Sequence, residues 1–165
     1  MQVMDFPPDT PDDARQAFRE GYEAQMGGRL EEAVEHYRRS IAIHPTAEAH
    51  TFLGWALSFL GHPDEAIAEC RTAIDVDPAF GNPYNDIGAY LIELGREAEA
   101  ITWLERAKHA ARYEPRHFPY FNLARVYVRQ HKVHEAIREL QQAIAIEPRY
   151  TVARRELHRL LGLLN

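Results

Sequence analysis

Apolar residues recur along this chain at three- and four-residue spacing, in short stretches broken by glycine or proline. One stretch runs Phe52-Leu53-Gly54-Trp55, then Leu57, Leu60 and Gly61. Others run Tyr84, Ile87-Gly88, Leu91 and Leu94-Gly95, and Tyr120, Leu123-Ala124 and Tyr127. Such spacing gathers the apolar side chains on one stripe of an α-helix and leaves the charges opposite. A second apolar pattern alternates with the first and opens on a shared phrase: Glu32-Ala33-Val34, Glu65-Ala66-Ile67, Glu99-Ala100-Ile101 and Glu135-Ala136-Ile137. Gly28, Gly61 and Gly95 fall between the two patterns, where reversing the chain between helices needs a permissive backbone. Asn82-Pro83 reads as a helix start, an N-cap residue followed by proline at the first helical position. The predicted unit is helix, tight turn, helix.

The alanines of the shared phrase lie 33, 34 and 36 residues apart, and Pro45, Pro78, Pro115 and Pro148 close the units. A fixed period of this length marks stacked repeats, each burying its apolar face against the next. The predicted units are 14–46, 47–80, 81–116 and 117–150, preceded by an acidic, proline-rich segment 1–13 that is expected to be flexible. Residues 151–165 read as a fifth amphipathic helix that caps the stack, with Leu157, Leu161 and Leu164 facing back. Gly54, Ala66 and Ala73 sit where two helices must approach closely. Ala107 to Pro115 spans 8 residues where the other units use 5, so the third unit carries an insertion that lengthens its second helix or the following loop.

These residues resemble the tetratricopeptide repeat family, whose unit reads Trp-x2-Leu-Gly-x2-Tyr, then Ala-x3-Phe, then Pro. Gly21, Ala33, Tyr37 and Pro45 match in the first unit, and Leu53, Gly54, Ala66, Ala73 and Pro78 in the second. Tyr84, Gly88, Ala100 and Ala107 match in the third; Tyr120, Leu123, Tyr127, Ala136, Ala143 and Pro148 match in the fourth. Four registers in phase make the match specific. It implies an all-α fold, a right-handed α-solenoid of four helix-turn-helix units plus a C-terminal capping helix. Two positions depart from the pattern: Glu20 stands where the family has Leu, and Cys70 replaces the usual aromatic.

In such an array the first helix of each unit lines a concave groove. By that register the groove receives Phe18, Tyr22 and Gln25, then Phe52, Trp55 and Phe59. The third unit adds Asn82, Asn85, Asp86, Ala89 and Ile92, and the fourth adds Phe118, Phe121, Asn122, Arg125 and Val128. Arg155 and Arg159 follow from the capping helix. Aromatic side chains outside the core stripe, with Arg and Asn nearby, have the composition of a recognition surface. The expected ligand is a peptide or helix, with Asn85 and Asn122 bonding its backbone. Chaperone-binding members of the family clamp a C-terminal carboxylate with Lys and Asn. The corresponding positions here hold Phe18, Tyr22, Phe52, Asn82 and Asp86, so that clamp is not expected.

Composition narrows the picture. Lys and Arg number 19 against 25 Asp and Glu, a net charge of -6 that disfavours a phosphate-tracking nucleic-acid binder. The charge is unevenly placed: residues 1–111 carry 9 basic and 20 acidic residues, net -11, and residues 112–165 carry 10 and 5, net +5. Arg125, Arg129, Arg155 and Arg159 are therefore expected to make a basic C-terminal end to the groove, orienting a ligand that has apolar anchors and an acidic segment. A single cysteine, Cys70, leaves no partner for an intrachain disulfide, and no apolar run reaches the ~18 residues of a membrane span. Met1 to Asp13 lacks the basic-then-apolar order of a secretory signal, so a cytoplasmic protein is expected.

Candidate chemistry adds little. His131 and His134 are three residues apart beside Glu135 but have no evident third metal ligand. Cys70 takes a core helix position, which favours an inert thiol. No phosphate loop, zincin motif or Gly-x-Ser-x-Gly occurs. The chain reads as a non-enzymatic interaction scaffold or adaptor with no cofactor or metal. The alternative is a self-assembling structural protein, joined head to tail or through Leu160 and Leu163 on the cap. The N-terminal segment, through Met4 and Phe6, could also occupy the chain's own groove.

Overall fold

The computed structural model describes residues 6–164, and its regular structure consists of α-helices. In chain order these are α1 (Asp12–Met26), α2 (Leu30–Ile43), α3 (Ala47–Phe59), α4 (Pro63–Val76) and α5 (Asn82–Glu93), followed by α6 (Glu97–His109), α7 (His117–Arg129), α8 (Val133–Ile146) and α9 (Thr151–Gly162). Helices α1, α3, α5 and α7 each pack most heavily on the even helix that follows, α9 packs back on α8, and the pairs stack in sequence as an all-α solenoid. The odd helices α1, α3, α5 and α7 also touch one another in order, whereas no two even helices pack comparably. A bent stack compresses its inner layer, so the odd helices form the concave side.

Close crossing within each pair depends on small residues. A Cβ on Gly88 would lie 2.5 Å from the Leu104 side chain, and one on Gly54 would lie 3.0 Å from the Ala66 carbonyl oxygen. Cys70 sits beside the same crossing, fully buried, and burial pushes its thiol well above the ordinary value. The turn between the helices of a pair uses a left-handed residue each time: Gly28, Gly61 and Gly95, and in the last pair His131 at φ 59°. A non-glycine residue costs roughly 1–2 kcal/mol in that region. Glu20, at the position where the family has Leu, lies on the surface within 3.2 Å of His36 Nδ1 and 3.4 Å of Arg39 Nη1.

Of the two places open to the third unit's insertion, the structure uses the loop: α6 ends at His109, and residues 110–116 turn back onto the preceding connection. Arg112 N donates to Ala79 O at 2.9 Å, and Gly81 N donates to Arg112 O at 2.9 Å. The Arg112 side chain reaches Asp77 Oδ2 at 2.6 Å and Glu48 Oε1 at 2.8 Å, with its guanidinium 4.3 Å over the Phe80 ring. Burial is the largest single influence on Asp77 and opposes its ionisation, but the hydrogen bond and charge of Arg112 together with the backbone N–H groups of Ala79 and Phe80 outweigh it and hold the carboxyl below its usual range. The N-cap expectation is corrected: Asn82 is the first residue of α5, and the cap is Gly81, which has no side chain to cap with.

The two ends also differ from expectation. On α9 the residues facing the stack are Ala153, Leu157 and Leu160, while Leu161 and Leu164 are 42% and 50% exposed. Helical steps of four and three residues align 153, 157 and 160, and each following residue is carried about 100° round the axis. Leu160 is therefore buried in the stack and not available for a contact between caps, whereas Leu163 is exposed. At the other end, residues 6–11 are docked on α1. Phe6 packs edge-on against Phe18 at 4.9 Å, and Arg15 donates to the carbonyls of Thr10 at 2.9 Å and Pro7 at 3.2 Å. Met4 lies outside the described residues.

Glu48 is 1% exposed, so removing its cation leaves a buried carboxylate uncompensated. Arg112→Ala is expected to lower the free energy of unfolding in urea by about 2–3 kcal/mol. Adding Glu48→Gln is expected to recover part of that loss. Equal stability of Arg112→Ala and the parent would show that the pair does not hold the loop.

Candidate functional site

The concave layer is aromatic at its N-terminal end. Phe18 on α1 meets Phe52 on α3 at 5.1 Å between centroids, and Phe52 meets Trp55 at 5.6 Å. Trp55 continues to Phe59 at 5.7 Å, and Tyr22 closes on Phe52 at 5.9 Å. The one-turn steps 52, 55 and 59 keep these rings on one face of α3 while α1 supplies the neighbouring wall. Burial grades along the run. Phe18 is 2% exposed and belongs to the core, Phe52 wedges between α1, α2 and α3, Tyr22 and Trp55 are half-buried, and Phe59 is 62% exposed. Phe18 thus supports the surface from beneath and does not present itself to a ligand.

Further along, the face is polar and its groups are already engaged. Asn122 Nδ2 donates to Asn85 Oδ1 at 3.0 Å, and Asn85 Nδ2 donates to Asp86 Oδ1 at 3.4 Å. Arg125 donates to Asn122 Oδ1 at 3.2 Å and to Glu93 Oε1 at 2.6 Å. Asn85 and Asn122 are 7% and 8% exposed, so the expectation that they bond a peptide backbone is corrected: their amides join α5 to α7. The basic end is likewise less free than the charge count suggested. Arg129 donates to the Ile92 carbonyl at 2.6 Å, and Arg159 grips Glu156 at 2.6 and 2.9 Å. Arg155 makes no hydrogen bond or ion pair among the described residues.

Arg155 lines a cavity of about 260 Å³ between α7 and α9, together with Phe121, Ala124, Arg125, Val152 and Glu156. Three expected site residues, Phe121, Arg125 and Arg155, meet there. Phe118 and Phe121 are organised by Tyr150, whose ring lies 5.8 Å and 5.2 Å from theirs, with His117 at 4.8 Å. Tyr150 was missed in the sequence, although a signal exists: Glu147-Pro148-Arg149-Tyr150 parallels Asp77-Pro78-Ala79-Phe80, and both place an aromatic two residues after the closing proline. Glu93 was also missed, because its pairing with Arg125 runs across helices and has no local signature; Glu156 was missed although it stands three residues before Arg159 on α9, a spacing that signals a pair. Among the described residues no group of three His, Cys, Asp or Glu is placed to hold a metal, and no helix is long and apolar enough to cross a membrane.

Comparison with known proteins gives the context. Two tetratricopeptide repeat signatures match the chain, one over residues 18–79 and 52–115 and the other over 117–150. The small glutamine-rich tetratricopeptide repeat-containing protein 2 of Mycosarcoma maydis is 32% identical over 90 residues, covering 53% of this chain and 25% of that protein. The photosystem I assembly protein Ycf3 of Prochlorococcus marinus is 27% identical over 101 residues, covering 54% of this chain and 58% of Ycf3. The chain thus spans a quarter of the first relative and less than two thirds of the second. Among solved structures, pilF of Pseudomonas aeruginosa superposes with a TM-score of 0.85 at 24% identity, covering 92% of this chain and 68% of pilF. YrrB, described as a TPR protein with an unusual peptide-binding site, superposes at 0.69 with 17% identity, covering 87% of this chain and 73% of YrrB.

Asp86 gives the polar stretch a pH dependence. Burial raises its carboxyl from the ordinary 3.8 to about 7, against the opposing bond from Asn85. Tyr90, Tyr113 and Cys70 pack near enough to feel its charge. An acid whose folded value is raised holds its proton more tightly in the folded state, so its cost is absent below about pH 4 and complete above pH 7. Asp86→Asn is expected to raise the melting temperature by several degrees at pH 8 and by little at pH 4.5. An equal change at both pH values would contradict the assignment.

Proposed function

Because the chain belongs to the tetratricopeptide repeat family, whose members act as protein-interaction scaffolds, we propose that its concave face binds a peptide or helical segment of a protein partner. The observation that carries this reading is the run Tyr22, Phe52, Trp55 and Phe59, which rises from the core to a ring 62% exposed. Isolated exposed aromatics are ordinary, but a ring held by successive neighbours offers contact area with little ordering left to lose on binding. The occupant on this reading sets apolar anchors against the α1–α3 end. Toward the C-terminus it places one acidic side chain at Arg155, in the cavity beside Phe121 and Val152. Glu93 and Glu156 hold the neighbouring arginines, so a single carboxylate fits there better than a long acidic stretch.

The reading assigns no catalytic role. Recognition of a chaperone tail through a carboxylate clamp is not part of it, since Phe18, Tyr22, Phe52, Asn82 and Asp86 occupy those positions. For a partner captured by the parent chain, Trp55→Ala and Phe59→Ala are each expected to weaken binding roughly 30-fold, the size of an anchor worth about 2 kcal/mol. Isothermal titration of the purified pair checks this. Parent-like affinity in both variants would place the site elsewhere.

A further inference from the structure

The face away from the groove holds a second feature that the family resemblance does not call for. Trp103 on α6 lies between two arginines, with the Arg71 guanidinium of α4 at 5.3 Å from its ring and that of Arg106 at 4.6 Å. Arg106 also lies 4.7 Å from the Tyr84 ring, so guanidinium and aromatic groups alternate from α4 across α6 to the start of α5. Neither arginine makes a hydrogen bond or an ion pair within 4.0 Å among the described residues. The acids nearby are engaged: Glu99 by Arg96 at 2.7 Å, and Glu105 by Lys108 at 3.1 Å. A guanidinium stacked on a ring is fixed in plane while its N–H edge stays open, the arrangement that receives a carboxylate in two-pronged fashion.

Beside Arg106 a cavity of about 550 Å³ opens between Pro78, Ala79 and Tyr84 on one side and His109, Ala110 and Ala111 on the other. Its second wall belongs to the loop that carries the insertion. That loop is held from both directions, by the Arg112 ion pairs to Asp77 and Glu48 and by Arg116, which donates to the carbonyls of Lys108 at 3.0 Å and Ala110 at 2.7 Å. The cavity is thus shaped before anything enters it; its walls are apolar and aromatic, and its rim carries Arg106 and Glu105, the latter's charge held by Lys108 at 3.1 Å. We propose that this is a second, independent binding site, taking an acidic peptide segment of a protein partner. The segment sets its carboxylates on Arg106 and Arg71 and an adjacent apolar side chain between Pro78 and Tyr84.

The test is selection of a random dodecapeptide library displayed on phage against the full chain and two variants. Arg71→Gln/Arg106→Gln removes the cations at exposed positions, and Trp55→Ala/Phe59→Ala disables the concave face; thermal melting by circular dichroism confirms that both are folded. The expected result is enrichment of peptides pairing Asp or Glu with an aromatic or Leu on the parent and on the concave-face variant, and their loss on the arginine variant. A peptide so selected should lose at least 10-fold in affinity on the arginine variant and weaken as salt rises. Equal enrichment on the arginine variant, or no acidic class on the parent, would overturn the proposal. Acidic peptides that vanish only with the concave-face variant would assign them to the groove.

Discussion

Everything in this molecule depends on how closely the two helices of a pair can cross. At Gly54 and Gly88 the partner helix comes near enough that even a methyl group would meet the Ala66 carbonyl or the Leu104 side chain. That approach locks each pair into a wedge, and stacking wedges brings the odd helices together on one side while the even helices spread on the other. The concave face follows from this geometry. So does the position of every aromatic on it, because α1 and α3 can share rings only when their pairs are stacked this tightly.

The face so formed has two unlike parts. Its N-terminal part is built outward from the core, with Phe18 beneath and Phe59 at the surface, and is stabilised by the same packing that exposes it. Its middle is a polar bridge from Asp86 through Asn85, Asn122 and Arg125 to Glu93. Buried amides of this kind are costly when unpaired, so the bridge closes on itself and leaves a ligand little to bond. Between them, these two facts put the apolar contacts at one end and leave Arg155 as the available charge at the other. The even-helix side carries its own opportunity in the Arg–Trp–Arg–Tyr stack, in which α4 and α6 lay Arg71 and Arg106 on aromatic rings without an ion pair within 4.0 Å among the described residues.

Much of the fold could be read from the text, since period, glycine turns and closing prolines are local signals repeated in phase. The helical pairing followed from them, and the odd-helix surface followed from the register of the family they resemble. What could not be read is long-range. The insertion could have extended α6, but Arg112 found Asp77 and Glu48, residues 35 and 64 positions earlier, and drew the chain into a loop. Arg125 counts as free charge in the sequence, but Glu93, 32 residues earlier on α5, pairs with it. On α9 a shift of one residue decided between Leu160 and Leu161 as the buried leucine, a difference that a short pattern of adjacent leucines cannot resolve. His131 shows the converse, a turn that keeps the shape of its glycine counterparts without the glycine.

The central claim is that the α1–α3 aromatic face is where a protein partner sits. The most direct measurement is amide hydrogen exchange by mass spectrometry on the full chain, with and without a partner it has captured. The account predicts slowed exchange in α1 and α3 peptides containing Tyr22, Trp55 and Phe59, tapering toward the α7–α9 cavity. Protection confined to the even helices, with those peptides unchanged, would contradict it.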